Sequence, residues 1–213
     1  MAAIEAGSPE RELSSNPAAV LCHSDVDFVD LQLNPLPHRI GFPAKVQGAG
    51  AVPRMFLGNP IITSTVLLRR DALDRVGRFD ESMNYAEDYD LWLRIAKRYE
   101  LAYVDCPLVR YRVHAASATA HTTKMLLATR DLVRRLLAET PSLRTDLDDV
   151  TIARRLARLE CAMSRFCYSD RQYLRFAGHA IKALGLHAQT ARQEALPPDV
   201  SDRLRWYCKR LGL

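Results

Sequence analysis

The sequence predicts an α/β fold to about residue 118, followed by an all-α C-terminal part. Three observations predict it. Short β-branched and apolar runs alternate with amphipathic runs in the first half. A Ser/Thr/Ala-rich linker then covers residues 114–123. Beyond it, apolar residues recur at three- and four-residue steps.

Residues 1–17 are rich in Ser, Pro and Glu, offer little to bury, and are predicted to be disordered. Residues 18–29 read as a strand that ends in alternation, with Val26 and Phe28 set against Asp25 and Asp27. Residues 34–53 carry four prolines and three glycines and are predicted to be a loop. Ile, Thr and Val make residues 60–68 a buried strand. A short helix over 70–76 stops at Gly77. In 87–99, Leu91 and Ile95, with Trp92, Ala96 and Tyr99, recur at helical spacing. Two strands are expected at 101–104 and 108–113. The predicted parts are therefore 1–17, 18–118 and a helical extension over 119–213. In that extension Ile152, Leu156, Leu159, Met163 and Phe166 should pack, with Arg154, Arg155, Arg158 and Arg165 facing outward.

The chain has 213 residues, 48% hydrophobic and 26% charged, which suits one globular core with a helical appendage. No run of 18 apolar residues is long enough to span a membrane, and the first 15 residues lack the apolar core of a secretory signal. A cytoplasmic location is expected. Five cysteines without a CxxC argue against a disulfide framework or a zinc knuckle. Charge is unevenly placed. Residues 1–121 carry 13 Lys+Arg against 15 Asp+Glu, and residues 122–213 carry 17 against 10. A basic C-terminal part fits either a solvated helix face or an anionic partner. No helix-turn-helix, RRM or zinc signature points to nucleic acid.

Glu87 and Asp88 open a predicted helix, where the helix dipole favours the ionised carboxylate that a general base needs. Ordinary helix capping is the other use of acids at that place. His114 follows a strand and reads as a metal ligand, a proton carrier or a surface residue. Asp25 and Asp27 share one strand face, as a divalent cation requires, or they are solvated acids at a strand edge. Trp92 reads as core packing or as a platform for a sugar ring.

Taken in order, five pieces resemble family 2 glycosyltransferases, enzymes of the GT-A fold. They are AAVLCHSDVDFVD, GNPIITSTVLLRRDAL, VGRFDE, AEDYDLWLRIA and PLVRYRVH, which together span about 100 residues. The resemblance implies a partial GT-A-like mixed sheet with flanking helices. It implies Asp88 as the base that deprotonates the acceptor hydroxyl, with Glu87 beside it at the acceptor. His114 is implied to help hold a divalent metal, Mn²⁺ or Mg²⁺. The implied partners are a UDP- or dTDP-sugar donor and a glycan or lipid-linked acceptor, as in polysaccharide biosynthesis by an inverting enzyme. Peripheral contact with the inner face of the membrane goes with a lipid-linked acceptor. The family's nucleotide-binding half, ending in a DxD metal motif, has no counterpart in the residues before 18. The expectation is therefore a truncated enzyme lacking most of the donor site. The alternative is a non-catalytic remnant that binds glycan or a partner enzyme.

Overall fold

The computed structural model describes residues 7–36, 45–114, 122–169 and 171–191. It divides into two units, Met1–His121 and Thr122–Leu213. The first is α/β and the second is helical, so the architecture is the mixed α/β one expected.

The first unit is built on β1 (Ala19–Val29). A two-residue strand, β2 (Leu67–Leu68), pairs with it antiparallel, and the long β3 (Glu100–Arg112) pairs with it parallel. The first six residues of β1 are all buried; from Asp25 the strand alternates, with Val26 and Phe28 buried and Asp27 exposed. That switch marks where the sheet stops being covered on both faces.

Residues 9–15 correct the expectation of a disordered N-terminus, because they form helix α1 (Pro9–Ser15). Ser8 caps it by accepting from the Arg11 N–H at 3.2 Å, and Pro9 stands in its first turn. Its one buried side chain, Leu13, packs with Ala19, Cys22, Ala102 and Val104. Arg69 fixes it further: Nη2 donates to the Leu13 carbonyl at 2.6 Å and Nε to the Ala19 carbonyl at 3.2 Å.

The strand expected over 60–68 is also corrected. Only Leu67 and Leu68 join the sheet, and Thr63–Thr65 forms a single 3₁₀ turn. Thr65 explains this, since its Oγ1 and its N–H both donate to the Ile62 carbonyl, each at 2.8 Å. A hydroxyl that bonds its own backbone competes with the ladder. The two strands expected between 101 and 113 are one. Val104 pairs with Ser24 and Pro107 with Asp25, so β3 carries a bulge at Asp105 and Cys106. Proline is tolerated there because the ladder is already interrupted. The loop expected over 34–53 ends earlier, at α2 (Ala51–Leu57), and residues 37–44 lie outside the described residues.

Helix α3 (Arg70–Val76) ends where expected, at Gly77. Its φ of +84° and the Arg94 Nη1 only 3.4 Å from where a Cβ would stand both favour glycine. Helix α4 (Glu87–Ala96) buries Tyr89, Leu91, Trp92, Leu93, Ile95 and Ala96. Trp92 is thus a core residue, with Phe79 edge-on to it at 6.2 Å.

The second unit contains α5 (Thr122–Glu139), α6 (Leu143–Asp146), α7 (Asp149–Ser169) and α8 (Tyr173–Ala191). Ile152, Leu159 and Met163 of α7 are buried as the spacing predicts, Leu156 is half-buried, and the Phe166 side chain lies outside the described residues. Helix α8 packs on α7 through Phe176, Ala180 and Ala183, against Cys161, Cys167 and Tyr168. Glu160 of α7 is 1% exposed. Its Oε1 accepts from Arg134 Nη2 of α5 at 2.8 Å, and its Oε2 lies 2.6 Å from His179 Nδ1 of α8. One carboxylate therefore ties three helices together.

Cys22, Cys106, Cys161 and Cys167 are free thiols, and Cys208 lies outside the described residues. Burial pushes the Cys22 thiol up to about 11, with Glu12 and Glu10 adding to the effect. A thiol so held is unreactive near neutral pH.

Candidate active site

The acid pair opens α4 as the sequence places it. The helix is entered through Ala86, which adopts a left-handed conformation with φ 62° and ψ 19°, and no side chain caps it. Three acids, Glu87, Asp88 and Asp90, occupy the first turn, at the positive end of the helix dipole. Their surroundings give them different work. Asp90 is buried and accepts from Arg94 Nε at 2.8 Å. The same guanidinium donates to the Val76 carbonyl at 2.6 Å and the Arg78 carbonyl at 2.7 Å. Asp90 therefore anchors α4 to the end of α3 and the turn after it.

Asp88 is half-buried, and both its oxygens are oriented. Oδ1 accepts from the Tyr89 N–H at 2.6 Å, and Oδ2 accepts from Thr63 Oγ1 at 2.7 Å. Each carboxylate oxygen keeps a further lone pair for an incoming hydroxyl. Tyr89 is buried, and its hydroxyl donates to the Met55 carbonyl at the end of α2. The carboxylate is thus set by α2, the 3₁₀ turn and the start of α4 together. Glu87, its neighbour, is half-buried. Sequence reasoning missed Thr63, and it read Tyr89 as a ring that packs or stacks on a sugar, not as a residue whose N–H and hydroxyl help to set the carboxylate. The hydroxyl-rich TST stretch was the only signal for Thr63, and it reads equally well as strand.

His114 lies two residues beyond β3, half-buried, where the Val113 N–H donates to the Val29 carbonyl at 2.8 Å and holds the two strand ends together. No hydrogen bond or ion pair among the described residues joins His114 to Glu87 or Asp88. Nor do the described residues bring three His, Cys, Asp or Glu side chains together around a metal-sized space. The described residues therefore do not complete a set for the divalent metal that the resemblance implies.

Asp25 and Asp27 part company on β1. Asp25 is 3.7 Å from Lys45 Nζ and Asp27 is exposed opposite Arg110. Lys45 also donates to Asp105 at the β3 bulge and lies 4.9 Å from the Tyr103 ring centre. These partners hold the ammonium group above its ordinary range, and Lys45 holds the Asp105 carboxyl below its own. Burial pushes the Tyr103 hydroxyl up to about 12. Behind them His23 is buried, its Nε2 donating to the Val46 carbonyl at 2.8 Å, and burial lowers its affinity for a proton. This cluster braces the bulge. A separate cleft of about 540 Å³, lined by Pro17, Arg69, Arg75, Arg98 and Glu100, lies at the other end of α4 from Asp88.

Residues 52–127, from α2 into the start of α5, match the family described as "Glycosyltransferase like family 2". That stretch contains Thr63, Glu87, Asp88 and His114, and β1 lies outside it. A curated relative, an uncharacterized glycosyltransferase of Rickettsia prowazekii (strain Madrid E), is 32% identical over 68 residues, 32% of this chain. The match spans about a fifth of that relative's length (21%). No helix among the described residues is long and apolar enough to cross a membrane. The stretch that holds the oriented acid at the start of α4 is thus the part of this chain that is similar to family 2 glycosyltransferases.

Proposed function

We propose that this chain carries the general base and the acceptor side of an inverting, nucleotide-sugar-dependent glycosyltransferase. The observation that supports it most is the Asp88 carboxylate, ionisable at a helix start and held at both oxygens by Thr63 and the Tyr89 N–H. In the reaction, Asp88 takes the proton from an acceptor hydroxyl as that oxygen attacks the anomeric carbon of the donor. The bond from that carbon to the diphosphate oxygen breaks on the opposite face, and the electron pair leaves with the nucleotide diphosphate. Glu87 is the neighbouring contact for the acceptor. A UDP- or dTDP-sugar as donor, and a glycan or lipid-linked sugar as acceptor at the inner face of the membrane, fit the family likeness of residues 52–127.

The test is Asp88→Asn in the natural full-length protein, assayed for sugar transfer. Asn is nearly isosteric and can still accept from Thr63. Turnover should fall about 10²- to 10⁴-fold with the fold intact. Undiminished turnover would overturn the assignment. Thr63→Val should lower kcat, with KM little changed, because it frees the carboxylate without touching the acceptor.

A further inference from the structure

We propose that the free side of α8 docks on an anionic lipid surface. The helix is apolar on two sides. One side is covered by α7, through Phe176, Ala180 and Ala183. The other carries Leu174 and Ile181, seven residues apart, which are 92% and 69% exposed. Gly178 and Gly185 lie on the same stripe, and a Cβ at either would meet nothing within 4 Å. Leu174 and Ile181 are each followed by an exposed cation, Arg175 and Lys182, which form one edge of the stripe. No acidic residue occurs between Asp170 and Glu194. An exposed apolar stripe edged only by positive charge is the chemistry of a helix lying in a bilayer interface.

Charge decides what covers it. A second copy would bring the same cationic edge against this one. Residues 192–213 of the chain carry five Lys+Arg against three Asp+Glu, so they too are cationic. A membrane rich in anionic headgroups supplies the opposite sign, and its acyl boundary accepts Leu174 and Ile181. Two large side chains give shallow, reversible contact.

The surface differs from the α7 arginine face that the sequence suggests for an anionic partner. Arg158 is exposed there, but Arg154 and Arg155 are half-buried and engaged with other groups, and the Arg165 side chain lies outside the described residues.

Flotation of the full chain with vesicles is the test. Wild type should float with mixed phosphatidylglycerol/phosphatidylcholine vesicles at low salt, and not with pure phosphatidylcholine. Leu174→Ser/Ile181→Ser and Arg175→Gln/Lys182→Gln should each weaken binding at least about tenfold. Arg158→Gln should not. Because the serine variant can perturb α8 itself, Ile181→Trp gives an independent reading: the emission of the introduced indole should shift to the blue when anionic vesicles are added. Failure of wild type to float, flotation of both double variants as strong as that of wild type, or an unshifted emission spectrum of the Ile181→Trp variant would each overturn the proposal. So would a concentration-dependent dimer, seen by light scattering, that Leu174→Ser/Ile181→Ser abolishes; that result would assign the stripe to a second copy.

Discussion

The two units use buried charge differently. In the first, guanidinium groups bond to backbone, Arg94 doing so in addition to its pairing with Asp90. Arg94 reaches the Val76 and Arg78 carbonyls, and Arg69 reaches those of Leu13 and Ala19. In the second, the charges bond to each other, with Glu160 between Arg134 and His179. Backbone clamps fix where elements end, and so they fix where the Asp88 turn stands. A side-chain cluster instead fixes how helices are aligned side by side. The difference separates a unit built on the placement of element ends from one whose structure is a bundle.

The largest effect should come from stripping Glu160 of its partners. Arg134→Leu/His179→Leu leaves a buried carboxylate alone and should destabilise the second unit by about 3–5 kcal/mol. Adding Glu160→Leu should recover most of that loss, because an apolar trio needs no desolvated charge. Urea titrations of the three proteins measure both steps. A triple variant as unstable as the double would show that the helices depend on the charges for alignment.

Arg94→Leu should cost the first unit about 3 kcal/mol, since it leaves the buried Asp90 carboxylate without its partner and frees two carbonyls that water can reach in part. Its distinguishing sign is local: amide exchange should quicken at Gly77 and through the first turn of α4, and hardly at all in β1. Uniform quickening across the sheet would contradict the clamp.

The smallest effect is pH-dependent and belongs to His23. Burial lowers its pKa in the folded state, so below the ordinary value of about 6.5 the unfolded chain binds the extra proton. Stability contributed at this position is therefore full above that pH and declines as pH falls. His23→Gln keeps a donor for the Val46 carbonyl and should flatten the difference in urea midpoint between pH 7 and pH 5. A parallel pH dependence in wild type and variant would remove His23 as its source.

Much of the first unit was legible in the sequence because periodicity and punctuation are local. β1, the stop of α3 at Gly77 and the whole of α4 follow from residues within one element. What was missed depends on contacts that a window cannot hold. α1 has a single buried side chain, so it shows no period. The 60–68 stretch has strand composition, yet a threonine hydroxyl turns it. The bulge that makes one strand of 100–112 is visible only opposite Ser24 and Asp25. At the site, the acid pair was legible and its orientation was not, because Thr63 is 25 residues from Asp88. Glu160 left a faint trace. It falls in phase with the buried Ala153, Ala157 and Ser164, where a carboxylate is out of place unless paired, but nothing local names Arg134 or His179.

Ala86 has a consequence for how such a chain changes over time. A left-handed alanine is less stable than glycine there by about 1–2 kcal/mol. One base separates an alanine codon from a glycine codon. The start of α4 therefore holds a reserve of stability that a single mutation can release without altering Thr63 or Tyr89, which orient Asp88. A lineage that accumulates destabilising changes elsewhere has, at this one position, an inexpensive way to compensate for them.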